Sequence, residues 1–331
     1  MKFLVTGGSG FIGRNYISRC IDLGHEVCNV DIVAPESTFD VSKFYYCNIE
    51  NLDSLVEVFH SFQPEFVIHL AARTDLNGTS LADYSANIVG VENVCRASAT
   101  TTSVINVVFA SSMLVCKGGY IPKDIFDFNP DTVYGKSKVQ SEIIVKSFEN
   151  QLSNYCIIRP TSIWGPWFKE PYKNFFNVVL SGKFLHIGNR TATKTYGYVE
   201  NSVNQIFSLA VSSADYRQSL IYIGDSRPLH ISLWANLIAR EGGQKKPLRA
   251  PCFLFWLLSK IGDFLSLFKT AFPMTSFRLK NMTTDNVLPC SLACEVNQFK
   301  EVPLKLGVKN TINWLNGERE SRIKLGSSIG N

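Results

Sequence analysis

Over the first half of the chain, short apolar runs rich in β-branched and aromatic residues alternate with helix-period segments. The runs Lys2–Thr6, Glu26–Asp31, Phe44–Asn48, Phe66–Leu70, Ile105–Ser111 and Tyr155–Arg159 predict strands. They are continuous in apolar character, as expected of strands covered on both faces. The segments Phe11–Leu23, Leu52–Phe62, Asp83–Thr100 and Val133–Gln151 predict the intervening helices. Such alternation calls for right-handed βαβ units, so the predicted fold class is α/β with a doubly wound parallel sheet. Beyond about residue 165 glycines and prolines punctuate shorter elements. Leu220–Gly224 still reads as a strand, so the domain boundary is expected to be interleaved.

The chain has 331 residues, enough for roughly two domains at about 150 residues each. Hydrophobic residues make up 45% and charged residues 18%, which excludes a disordered or fibrous chain. The formal charge of +5 is scattered, with the densest basic cluster at Lys245, Lys246 and Arg249. Proteins that bind nucleic acid concentrate such charge on one face, so no nucleic-acid partner is expected. Nine cysteines form no CxxC pair and sit in apolar stretches, which predicts reduced, buried thiols in a cytoplasmic protein. The five histidines show no zinc spacing, so no metal is expected. The opening residues run straight into the first strand without the apolar run of a signal peptide, and no stretch has the roughly 20 apolar residues of a spanning helix.

Thr6-Gly7-Gly8-Ser9-Gly10-Phe11-Ile12-Gly13 joins the first strand to the first helix. There Gly7 allows a tight turn, Gly10 lets a pyrophosphate approach the backbone, and Gly13 lets the helix pack on the sheet. Helix-end N–H groups then favour the phosphates. Asp31 ends the second strand, where a carboxylate accepts from adenosine ribose hydroxyls and repels a 2′-phosphate. NAD is therefore the expected cofactor.

Tyr134 and Lys138 stand four residues apart, on one face of a predicted helix, with Ser112 at the end of a preceding strand. A neighbouring ammonium is expected to lower the phenol's pKa from about 10. Tyr134 would exchange a proton with a substrate hydroxyl, and Ser112 would donate to the oxygen developing charge.

With these motifs the sequence resembles the extended short-chain dehydrogenase/reductase family, in its nucleotide-sugar epimerase and dehydratase branch. TGGSGFIG, His69-Leu70-Ala71-Ala72, Ala86-Asn87-Ile88-Val89-Gly90, Phe109-Ala110-Ser111-Ser112, Tyr134-Gly135-Lys136-Ser137-Lys138 and Arg159-Pro160 carry the likeness. The resemblance implies a Rossmann-type NAD domain at 1–165, a smaller, mostly helical substrate domain at 166–325, and a tail at 326–331. It implies that Gly7, Gly10, Phe11 and Ile12 meet the pyrophosphate and that Asn48 and Ile49 flank adenine. Leu70, Ala71 and Ala72 would line the cofactor path and Asn87 would belong to the cofactor site. Lys138 would also hold the nicotinamide ribose, and Pro160 would approach the nicotinamide. The implied partners are a nucleotide-diphosphate sugar and a second copy of the chain, paired through Asp83–Thr100 and Val133–Gln151.

Two departures narrow the chemistry. Members that dehydrate sugars at C4–C6 carry an Asp-Glu pair after the Ser/Thr, whereas this chain has Met113-Leu114, which cannot move protons. Lys194 stands where relatives often place an Arg for the substrate phosphate, and Cys116, where many have Tyr, reads as a packed small hydrophobe. Phe168, Tyr172, Asn174, Phe175, Arg190, Tyr196 and Arg278 are candidate substrate contacts that packing explains equally well. The Phe- and Leu-rich stretch Phe253–Phe272 is expected to turn an apolar stripe to the core, with contact to a membrane surface as the lesser alternative. The expected function is an NAD-dependent epimerase or ketoreductase acting at C4 of a nucleotide-diphosphate sugar. The alternatives are a hydroxysteroid-type dehydrogenase and a non-catalytic dinucleotide sensor.

Overall fold

The computed structural model describes residues 1–35, 43–189, 192–266, 272 and 274–328. The first half builds β1 (Lys2–Thr6), α1 (Phe11–Asp22), β2 (Glu26–Asp31), β3 (Lys43–Tyr46), α2 (Leu52–Phe62) and β4 (Phe66–His69). It continues with α3 (Ser85–Thr100), β5 (Asn106–Ala110), α4 (Val133–Ser147) and β6 (Tyr155–Pro160). A seventh strand, Ile221–Ile223, joins the edge, and the spatial order is Ile221–Ile223, β6, β5, β4, β1, β2, β3. All of these strands run parallel, with Thr6 opposite Val30 on one side and His69 on the other. This is the doubly wound Rossmann-type sheet expected of continuous apolar runs.

The order reverses between β4 and β1, so the carboxyl ends of these two strands open the crevice where such sheets bind ligands. One face of the sheet is packed by Leu4, Val30, Phe59, Val67, Val94, Val107 and Tyr155. Local chemistry sets the helix starts. Asn51 caps α2 by accepting from Ser54 N at 3.1 Å, and Thr132 caps α4 by accepting from Gly135 N at 3.0 Å.

The chain divides into two compact units. The first comprises Met1–Ile163, Gly197–Ser226 and Pro289–Glu301. Its helix Val199–Val211 is nearly all buried, and Asp225 holds the start of that helix by accepting from Tyr198 N and Asn201 Nδ2. The second unit comprises Trp164–Tyr196, Arg227–Leu288 and Val302–Asn331 and is mostly helical. Its centre is an aromatic cluster around Trp234, whose ring lies 4.6 Å from that of Tyr196 and 5.0 Å from that of Phe175. The final helix, Leu304–Ser328, takes in the start of the stretch expected to be a tail; residues 329–331 lie outside the described part.

Two expectations are corrected. The helix Cys252–Ser266 turns Phe255, Ser259 and Gly262 inward and leaves most of its large apolar side chains exposed, so there is no core-facing apolar stripe. Residues 267–271 of that stretch lie outside the described part. The cysteines are all free, but Cys252 is exposed and Cys294 only half-buried, because both sit on helices with an open face. Among the described residues no helix is long and apolar enough to cross a membrane.

Candidate active site

The glycine loop closes on the crevice between β1 and β4. Gly7 adopts φ +72°, and a β-carbon there would lie 2.6 Å from Ala71 N. Only glycine tolerates both that conformation and that approach. A β-carbon on Gly13 would lie 2.2 Å from Gly7 O, so α1 enters flush against the loop. Gly10 is the N-cap of α1 and has no side chain to cover the first-turn N–H groups, leaving a cradle suited to a diphosphate. Phe11 and Ile12 are half-buried in that first turn.

Asp31 stands at the end of β2. It accepts from Ser9 N and Val33 N, each at 3.0 Å, so it braces the glycine loop as well as presenting a carboxylate. Asn48 is exposed, whereas the Ile49 side chain is buried against Gly90, which leaves Asn48 as the more available of the two. Leu70, Ala71 and Ala72 follow β4 and stay partly exposed along the crevice. Pro160 ends β6, opposite Ile223. Asn87 is fully buried: its Oδ1 accepts from Arg73 N at 2.8 Å, and its Nδ2 donates to Arg73 O and to Ser137 Oγ. It fastens the loop after β4 to α4.

Tyr134, Lys138 and Ser112 come together at the end of β5. Ser112 shares a hydrogen bond with the Tyr134 phenol and accepts from Leu114 N at 3.1 Å. Lys138 Nζ donates to Ala110 O at 2.9 Å. Burial pushes the Tyr134 phenol up to about 12, with the Ser112 hydrogen bond opposing and Tyr84 adding to the shift. Burial pulls the Lys138 ammonium down to about 8, opposed by the Glu142 charge. The expected lowering of the phenol by its lysine is thus overturned. Desolvation disfavours both ions, and the ammonium is engaged by the Ala110 carbonyl.

Sequence reasoning missed the groups that hold this constellation. Tyr84 sits with its ring 6.0 Å from that of Tyr134 and donates to Asp75 O at 2.7 Å. Glu142 accepts from Ser111 Oγ at 2.6 Å and pairs with Arg159 through two hydrogen bonds. Glu142 lies one turn beyond Lys138 on the same helix face, a signal available in the sequence.

In the second unit, Phe168, Tyr172, Phe175 and Tyr196 are engaged in aromatic packing, whereas Asn174 and Arg278 are exposed. Lys194 is half-buried, and burial lowers its pKa. Arg190 lies outside the described residues.

Glycine cradle, strand-end carboxylate and buried Tyr–Lys–Ser group follow the carboxyl ends of strands in one Rossmann-type sheet, the end at which such sheets bind ligands. The chain belongs to the NAD dependent epimerase/dehydratase family, whose model matches residues 3–222. It is accordingly an enzyme of the extended short-chain dehydrogenase type, with NAD as cofactor. The chain is 26% identical to a 3-beta-hydroxysteroid dehydrogenase of Mycolicibacterium neoaurum over 264 residues, covering 74% of this chain and 71% of that one. It is 28% identical to the N-acetyl-alpha-D-glucosaminyl-diphospho-ditrans,octacis-undecaprenol 4-epimerase of Escherichia coli O157:H7 over 207 residues, 61% of each chain. The crystal structure of the Thermotoga maritima UDP-glucose 4-epimerase with UDP-glucose has a similar fold, with a TM-score of 0.73 at 22% identity, covering 96% of this chain and 99% of that one.

Proposed function

We propose that this enzyme is an epimerase or ketoreductase acting at C4 of a nucleotide-diphosphate sugar. The observation that carries the reading is the Ser112–Tyr134 hydrogen bond at the same end of the sheet as the glycine cradle, with Lys138 one turn along. When bound, NAD supplies a hydride acceptor and donor. Tyr134 takes the proton of the sugar hydroxyl during oxidation and returns it on reduction, and Ser112 donates to the same oxygen. Lys138, fixed by its hydrogen bond to the Ala110 carbonyl, would hold the nicotinamide ribose. Gly7, Gly10, Phe11 and Ile12 hold the diphosphate of the cofactor, Gly13 lets α1 pack against that loop, and Asp31 holds the adenosine ribose. Met113 and Leu114 supply no acid or base for elimination, so 4,6-dehydration is disfavoured.

A panel of UDP-, GDP- and dTDP-sugars, followed for C4 inversion and for NADH oxidation of the 4-keto forms, tests this reading. An epimerase turns over with the cofactor it carries, whereas a ketoreductase needs added NADH. Tyr134→Phe is expected to lose roughly 10²–10⁴-fold in kcat while still binding NAD. Full activity in that variant would remove Tyr134 as the base.

A second reading, a hydroxysteroid-type dehydrogenase, is favoured by the 26% identity to the Mycolicibacterium enzyme. NAD reduction by a 3β-hydroxysteroid, without turnover of any sugar nucleotide, would select it.

A further inference from the structure

The helix Cys252–Ser266 reverses the usual amphipathic arrangement, in which the large apolar side chains face the core. Apart from Phe255, its inward stripe is small or polar. Ser259 is 1% exposed and donates to Trp256 O at 2.7 Å, and a β-carbon on Gly262 would overlap Met274 O. Its outward face carries Phe253 at 65% exposure, Trp256 at 58%, Leu257 at 50% and Phe264 at 61%. Single exposed apolar residues need no explanation, but a contiguous patch of aromatics and leucines marks an interaction surface.

The charge around this helix is equally uneven. Residues 244–283 contain seven Lys or Arg and a single acidic residue, Asp263, so this segment carries +6 while the whole chain carries +5. The rest of the protein therefore sums to −1. Lys245, Lys246, Lys260 and Lys280 are exposed.

We propose that this helix is a docking surface for a lipid bilayer containing anionic lipids. At 1.5 Å per residue a 15-residue helix is about 22 Å long, too short to span and suited to lying in the interfacial plane. Trp256 and the Phe and Leu side chains enter the boundary between headgroups and acyl chains, where aromatic residues are favoured. The flanking lysines meet the headgroup phosphates, and Lys260 reaches outward along its own stem. Charge selects lipid over a second copy of the chain, because self-association through this face would bring two strongly basic segments together. This inference concerns a surface and does not rest on the choice of substrate.

Vesicle flotation of the full chain tests it. Protein is expected to float with vesicles containing roughly one-third phosphatidylglycerol at least about 10-fold better than with phosphatidylcholine alone, and less so as salt is raised. The double variant Trp256→Glu, Phe264→Glu changes only exposed positions. It is expected to keep its melting temperature and NAD binding and to lose about 10-fold or more of the bound fraction. Equal flotation on neutral vesicles, or unchanged flotation of the variant, overturns the assignment. So does the absence of flotation, including the case in which the variant instead dissociates a dimer in light scattering.

Discussion

The carbonyl oxygen of Leu114 occupies the space that a β-carbon on Gly135 would need, lying 2.2 Å from that position. The first turn of α4 therefore rests directly on the short turn that follows Ser112, and this contact brings Tyr134 to Ser112. The glycine of the YGKSK segment is a positioning residue for the neighbouring phenol.

Gly135→Ala should accordingly harm turnover more than folding. Overpacking costs about 1–3 kcal/mol, whereas moving a reacting group by an ångström costs about 10²-fold in rate. The measurement is kcat beside a thermal melt of the same preparation. Wild-type kcat in a variant with a lowered melting temperature would show that the contact serves only packing.

Lys138 illustrates a conflict between stability and function. Its folded pKa of about 8 lies below the ordinary 10.5, so the folded state disfavours the charged form. The cost is present in full below pH 8 and is relieved as pH rises through 10.5. Lys138→Met removes that cost and also the hydrogen bond to Ala110 O, for an expected net gain of roughly 1–2 kcal/mol at neutral pH. The gain should shrink in alkali, and activity should fall sharply at every pH. Urea unfolding at neutral pH and near pH 10 checks the sign: a gain that grows with pH contradicts the assignment.

Much of this site is legible in the sequence because its parts follow local rules. A glycine bend between strand and helix, a strand-end Asp31 and a Tyr–Lys pair at i, i+4 each need only secondary structure to acquire meaning. The strands were equally legible: their apolar runs match the observed elements within a residue or two at most ends. Residues acting across the fold were not. Glu142 meets Arg159 only once α4 packs on β6, and Asn87 meets Ser137 only once α3 packs on α4, 17 and 50 positions apart in the chain. The phenol's pKa depends on desolvation, which a motif does not encode. The helix Cys252–Ser266 misleads for a related reason. Periodicity reports that a helix has an apolar face, but not whether protein or something else covers it.

The Glu142–Arg159 pair ties α4 to β6 beneath Ser111, and both side chains are only 2% exposed. Removing one partner strands the other charge in the interior. Arg159→Met should destabilise the fold by about 3–5 kcal/mol, and Glu142→Leu added to it should restore part of that loss. Chemical denaturation of the two single variants and the double variant closes the cycle. A double variant less stable than Arg159→Met would mean that the pair's worth lies in hydrogen bonds to its neighbours rather than in charge compensation.

His69 sets an acid limit on the crevice. Thr6 Oγ accepts from Ala71 N at 3.3 Å and shares a hydrogen bond with His69 Nδ1 at 2.7 Å, so the ring ties the end of β4 to β1. Burial pulls the imidazole down to about 3, and the charge of Lys138 adds to the effect. The folded pKa lies below the ordinary 6.5, so the neutral ring's contribution is complete above 6.5 and is lost as pH falls toward 3. At the acid end this amounts to several kcal/mol, on the order of 3–5. His69→Asn should therefore lose less stability than the wild type between neutral pH and pH 4, whatever its absolute stability. Parallel pH profiles of unfolding free energy for the two proteins would show that the ring accepts its second proton without cost, and the link between Thr6, His69 and the end of β4 would then not govern acid stability.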